Sequence, residues 1–241
     1  LSRAGIVAVA LALIDREGLE NFSLRNLAKA LGVNTTAIYW HLPGRNVVLA
    51  EVMATVIAGV TPPAQADWRA WLRLLIHNVR DALRRHPNTA PLLGAQLVSN
   101  IAASLDLVEG ILAALTAGGF AGQRLVAAYN AVAAAMVGFT TQELSPMPED
   151  APAWQAIVRA RLDAIQADAH PLTAANMKLL ANRAFILRWE NGVQAPMDDG
   201  FVLFVEAFLD GLDRQPRTAP PDPQADARRP NEKGRRRDDC S

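Results

Sequence analysis

Two short apolar-patterned segments, separated by a tight turn, restrict this chain more than any other feature. Ser23 is an N-cap residue ahead of Leu24, Leu27, Ala28 and Leu31, which share one helical face, and Gly32 suits the left-handed position that ends such a helix. Asn34 then caps a third helix that runs only to about His41, where Pro43-Gly44 stops it. Gly32 supplies the turn, Val33 is an apolar plug between the helices, and Ala28 is small enough to let them cross closely. Two helices flank the pair. The first is signalled by Ser2 and by Ile6, Val9, Ala10, Leu13 and Ile14, and ends at Gly18. The other covers about Asn46 to Val60, with Leu49, Met53, Val56 and Ile57 inward, and ends at Thr61-Pro62-Pro63. Residues 1–60 therefore have the dimensions of a helix-turn-helix unit, a pattern that other helical hairpins can imitate.

The residue types on the third helix add chemistry. Ala37 and Ile38 can point inward, leaving Thr35, Thr36, Tyr39, Trp40 and His41 outward. Hydroxyls at a helix N-terminus donate to and accept from base edges or phosphates, and a tyrosine one turn on reaches a thymine methyl or a phosphate. Arg45 and Asn46 open the next helix, whose free N–H groups suit a phosphate. Tyr39 and Trp40 are alternatively core aromatics, and His41 is alternatively held by a structural hydrogen bond.

The run from Phe22 to Leu42, FSLRNLAKALGVNTTAIYWHL, resembles the DNA-binding domain of the tetracycline-repressor (TetR) family. Its Tyr39-Trp40-His41 triplet and Arg25 are most similar to the tetracycline-repressor branch itself. The likeness is close over about residues 1–57 and weaker, in helix order, to about Leu212. It implies that Arg25 reaches a guanine, that Tyr39 lies at the groove, and that Trp40 and His41 touch the backbone. Arg45 stands where a phosphate-binding lysine is found. Thr35 and Thr36 replace a base-contacting glutamine and proline, so the operator sequence is expected to be this chain's own.

Beyond residue 60 the helices lengthen. The patterns predict Trp68–Arg85, Ala90–Val98, Ser104–Ala117, Gly122–Leu144, Trp154–Asp168, Thr173–Trp189 and Phe201–Asp213, with a loop over residues 145–152. No run reads as a strand, and the chain is rich in alanine and leucine but has only two tyrosines. The expected fold is all-α: an N-terminal three-helix helix-turn-helix domain (1–60) joined to a larger helical ligand-binding and dimerisation domain (61–214). A Pro-rich, charged tail over residues 215–241 is expected to be disordered.

Small residues crowd the longest helix: Ala127, Ala128, Ala131, Ala133, Ala134, Ala135 and Gly138. With Phe201–Leu212 it is the candidate for a two-fold four-helix interface, the alternative being ordinary core. The resemblance favours the interface and implies a homodimer whose ligand pocket spreads the reading heads. Trp71, Leu75, Val79, Leu92, Val108, Ile111, Leu112 and Met136 are candidate apolar lining, and Asn78, Gln96 and Asn130 candidate polar contacts. Thr61, Leu75 and Leu92 fall where the tetracycline branch has its histidine, asparagine and second histidine for a drug–Mg²⁺ chelate. His77, His86 and His170 lack ligand spacing. No metal and no cofactor are expected, and the effector should be more apolar than such a chelate.

Charge gives little help. The chain is neutral at 24 Lys/Arg against 24 Asp/Glu, and the first sixty residues carry five Lys/Arg against four Asp/Glu, so residue placement has to carry any DNA claim. Nothing resembles a nucleophile–base pair or a cofactor loop, so an enzyme is not expected. Cys240 alone excludes an intrachain disulfide. The most apolar run, Leu125–Phe139, is shorter than the roughly 20 residues of a bilayer span. With no signal peptide visible, a cytoplasmic, membrane-free protein is expected, although the start at Leu1 leaves a natural N-terminal extension open. The expected function is a repressor released from a double-stranded DNA operator by a small hydrophobic molecule. The alternative is a DNA-binding regulator without such an effector, controlled by a protein or constitutively bound.

Overall fold

The structure, a computed structural model, describes residues 1–64, 67–99, 105–148 and 150–215, with the backbone alone over 96–99. The tail beyond residue 215 and the Gln96 side chain lie outside it. Every regular element among the described residues is helical.

The N-terminal unit is built by its caps. The Ser2 hydroxyl accepts the Gly5 N–H at 3.2 Å and starts α1 (Arg3–Glu17), and Gly18 ends it by returning its N–H to the Ile14 carbonyl. Ile6, Val7, Ala10, Leu13 and Ile14 form the buried stripe of α1, which packs on α2 (Leu24–Leu31) and α4 (Arg45–Val56). Gly32 ends α2 at φ 68°, in the left-handed region that favours glycine, and the Val33 N–H closes back on the Ala28 carbonyl. Here α4 stops four residues short of the expected Val60, and Gly59 at φ 77° turns the chain away.

In the larger part, α5 (Trp68–Arg85) occupies the expected span and runs through the centre. It packs on α7 (Leu105–Ala117), α8 (Gly122–Glu143) and α11 (Asp198–Asp213). A Cβ on Gly110 would come within 2.6 Å of the Trp71 ring, so the α5–α7 approach needs a glycine there. A 3-10 turn (Pro87–Thr89) precedes α6 (Leu92–Ser99), which lies against α4 and α8. The core is continuous from Ile6 through Leu72 to Leu212. Contrary to the expectation from the Leu125–Phe139 run alone, the whole of α8 is long and apolar enough to cross a membrane; one side of it, at Ala128, Val132, Ala135 and Met136, is buried against the helical body.

Two helices, α9 (Ala151–Asp163) and α10 (Pro171–Leu180), contain no buried residue. α10 ends nine residues before the expected Trp189. Asn182 adopts φ 59°, and its side-chain oxygen accepts the N–H groups of Trp189 and Glu190 at 3.1 and 3.0 Å. Asparagine tolerates the left-handed region and can replace helical hydrogen bonds with its own, so the segment turns where periodicity alone predicts more helix.

α11 runs antiparallel to α5, and polar pairs step along the seam. Arg69 meets Asp210 and Asp213, Arg73 grips Glu206 with two bonds of 2.5 and 2.8 Å, and His77 stands edge-on to Phe201 at 4.9 Å. At the far end Arg80 and Arg84 meet Asp198 at 2.8 and 3.1 Å. The exposed pairs each contribute little, about 0–1 kcal/mol, but together they set the register. The inner pair differs in kind. Arg80 donates to both oxygens of Glu143, at 2.8 and 2.6 Å, and the Glu143 side chain has no solvent exposure. Burial pushes the Glu143 carboxyl up, but hydrogen bonds from Arg80 and from the Met197 N–H, with the Arg80 charge, hold it below the ordinary carboxylate value.

Candidate nucleic-acid interface

The recognition segment is compact. The Asn34 side chain accepts the Ala37 N–H at 2.9 Å and starts α3 (Thr35–Tyr39), which is two residues shorter than the expected run to His41. Such a cap stabilises by about 1 kcal/mol. Ile38 is fully buried, as is Leu42 just after the helix, so the segment is pinned from one side. Burial of an isoleucine of this kind contributes about 1.5–3 kcal/mol.

Pinning Ile38 inward forces its neighbours out. Thr36 and His41 are exposed, Thr35 and Ala37 are half-buried, Tyr39 is 51% exposed and Trp40 is 85% exposed. Neither aromatic is in the core. A tryptophan left in water on a short, capped helix is the kind of exposed apolar feature that marks a contact surface. Arg25 is exposed on the first turn of α2, the helix that packs on α3.

Arg45 opens α4, whose N-cap Gly44 offers no side chain to the first-turn N–H groups. Its guanidinium also reaches back to the Phe22 carbonyl at 3.3 Å and lies over the Phe22 ring at 5.7 Å. Arg45 thus braces the turn before α2 while staying exposed. Arg45→Ala is expected to weaken binding to every duplex alike and to lower the salt dependence by about one charge per head, or about two for a dimer, read from affinities across a salt series.

Residues 6–52 match the family described as bacterial regulatory proteins, tetR family. Residues 61–213 match the tetracyclin repressor-like, C-terminal domain. The chain belongs to the TetR family. A protein of Saccharopolyspora erythraea named an HTH-type transcriptional regulator is 30% identical over 178 residues, spanning 73% of this chain and 75% of the relative. The class C tetracycline repressor protein of Escherichia coli is 34% identical over 102 residues, 38% of this chain and 47% of that protein. The crystal structure of a possible TetR family transcriptional regulator from Streptomyces coelicolor A3(2) superposes with a TM-score of 0.69 at 25% identity, covering 88% of this chain and 98% of that one.

The expected TetR effector residues divide. Leu75, Val79, Ile111 and Met136 are buried where α5, α7 and α8 meet, Leu92 is buried on α6, and Val108 and Leu112 are half-buried on α7. Trp71 is buried and donates its indole N–H to the Pro62 carbonyl at 3.2 Å, and Asn78 donates to the Val60 carbonyl at 2.9 Å. Those two hold the chain between α4 and α5. Asn130 is exposed on α8.

Two apolar grooves lie elsewhere, along α8 and α11. One, of about 370 Å³, runs over Ala127, Ala128 and Ala131 between Phe120 and Phe208. The other, of about 440 Å³, has Ala131, Ala134 and Gly138 as its floor and Phe139, Phe185, Phe204 and Phe208 as its walls. Among the described residues, none of the expected effector residues lines either groove. Among the described residues no group of three or more His, Cys, Asp or Glu could hold a metal. His77 and His86 instead meet Phe201 and Asp15, while His170 stands at the start of α10.

Proposed function

We propose that this chain is a homodimeric repressor that reads a two-half-site DNA operator through α3 and is released by a small hydrophobic molecule. The observation that carries the DNA reading is the outward presentation of Thr36 and Tyr39 on α3 and of Trp40 and His41 in the turn that follows it, with Ile38 and Leu42 pinned inward. The name of the E. coli relative, a tetracycline repressor, supports both the sign of the regulation and a small effector. Residues 1–60 act as the reading head and 61–214 as the effector and dimerisation domain, divided as the two family matches divide.

The dimer forms through α8 and α11. Their small-residue floor and phenylalanine walls line the two grooves, and Leu203, next to the groove residue Phe204, is 72% exposed. A second copy of the same pair buries these side chains in a four-helix contact. Sedimentation at micromolar concentration gives a dimer on this account.

The effector has to bind the DNA-incompetent state more tightly than the competent one. Thr61, Leu75 and Leu92 supply no metal-binding ligand set, so tetracycline with Mg²⁺ should not act. Screening flat, apolar aromatic compounds by thermal unfolding should find one that raises Tm. At a hundred times Kd the gain is about 2.7 kcal/mol, or roughly 5–10 °C. That compound should also release the operator. The closed packing of Leu75, Val79, Ile111 and Met136 favours a second possibility, a regulator without a small effector. Stabilising compounds that never release DNA would decide for it.

A further inference from the structure

The reading head is attached to the larger domain by more than the covalent chain. The last turn of a helix leaves carbonyls without partners inside the helix. In α1 the Ile14 carbonyl receives the Gly18 N–H at 2.9 Å, and Asn21 serves the Glu17 carbonyl at 2.8 Å. The rest of the cap comes from across the joint. Asn88, in the 3-10 turn after α5, donates its side-chain N–H groups to the carbonyls of Ile14 and Asp15, both at 3.0 Å. Beside it the His86 ring nitrogen Nδ1 lies 2.8 Å from the Asp15 carboxylate. Thr89, fully buried, donates its hydroxyl to the His86 carbonyl at 2.7 Å and fixes the turn that presents both side chains.

A second attachment lies on α5 itself, about two turns before its end: Asn78 on the Val60 carbonyl, with Trp71 on the Pro62 carbonyl nearer the start of that helix. A body held at one point can still rotate about it. Held at the end of α1 and again beyond α4, the head is fixed on α5 in this conformation.

We propose that Asn88, seconded by His86, is a clasp that sets the angle of the reading head on the effector domain, and so the separation of the two heads in the dimer. This rests on the dimeric DNA-reading function above. The clasp caps α1 only in one head orientation, because donor and acceptors belong to different domains. Its specific consequence is discrimination between operator spacings. One inserted base pair moves the half-sites apart by about 3.4 Å and rotates one by roughly 35°. Heads at a fixed angle reject that duplex, and unclasped heads follow it.

The test uses the full chain and a duplex selected by it from a random pool, together with versions carrying one central inserted base pair or one scrambled half-site. Wild-type protein should lose roughly tenfold or more in affinity on the insertion. Asn88→Ala should bind the original duplex roughly tenfold more weakly, because loosened heads must be ordered on binding. It should keep the affinity for the single half-site and distinguish the two spacings by less than about threefold. Asp15→Asn, which leaves the Asn88 bonds in place, should fall between the two. Wild-type spacing preference in Asn88→Ala would overturn the clasp while leaving DNA reading intact. An unfolded head in both variants would overturn it too, since the head's own core does not depend on Asn88. Failure of the wild-type chain to select any duplex would instead remove the DNA-reading function on which the clasp depends.

Discussion

Arg80→Met is expected to lower the free energy of unfolding by about 3–5 kcal/mol, the loss typical when one partner of a buried ion pair is removed. Arg80 and Glu143 are 7% and 0% exposed, so water cannot replace the lost guanidinium. What remains is a buried carboxylate with the Met197 N–H as its neighbouring donor. Urea unfolding at fixed protomer concentration should show a lower midpoint with an unchanged slope. Arg80→Met combined with Glu143→Leu should recover much of the loss, because the stranded charge goes as well. The pH dependence follows from the same geometry. In the wild type the Glu143 carboxyl is held below its unfolded value. Its contribution is therefore complete above the ordinary carboxylate pKa of about 4.3 and is lost as pH falls through the folded value. Without Arg80 the burial effect is left and raises that pKa. The Glu143 contribution then reverses: the variant loses stability as pH rises above about 4.3. A variant whose stability keeps the wild-type pH profile would show that Arg80 does not hold this charge.

The second large effect is on DNA. Tyr39→Ala and Arg25→Ala should each abolish specific operator binding. A good base contact discriminates by about 1–3 kcal/mol, and in a dimer each substitution acts twice, giving about 2–6 kcal/mol. Both side chains are exposed, and neither has a part in the core. Thermal stability and sedimentation should stay within about 0.5 kcal/mol of wild type and at the dimer. Unchanged footprints for both variants would sink the assignment of the surface.

The local parts of this molecule could be read from sequence because their causes are local. Ser2, Ser23 and Asn34 each cap the helix expected of them, and Gly18 and Gly32 end theirs, since capping depends on residues within one turn. The exposure of Tyr39 and Trp40 settles an alternative that periodicity left open, because a five-residue helix is too short to define a face by itself. The end of α10 is not legible in the periodicity because Asn182 does the work that glycine or proline usually signals. An asparagine inside a helical pattern is the one local signal of that turn.

The tertiary contacts had no such clue. Arg80 and Asp198 are 118 residues apart, and His86 and Asp15 are 71 apart. Each of these side chains looks by itself like an ordinary surface charge, and only the packing of α5 on α8, α11 and the end of α1 brings them together. Trp71 and Asn78 show the same limit from the other side. Their residue types suit a ligand pocket, but the fold uses their N–H groups to hold the turn after α4.

In the proposed function, two copies of α3, held by one dimer, read one DNA site. Selection of duplexes from a random pool by the purified chain, followed by footprinting of the enriched sequence, tests it most directly. The predicted result is an inverted pair of half-sites with centres about 34 Å apart, or one helical turn, bound by a single dimer and lost in Tyr39→Ala. Enrichment of no sequence over random DNA, or of a lone half-site bound by a monomer, would contradict it.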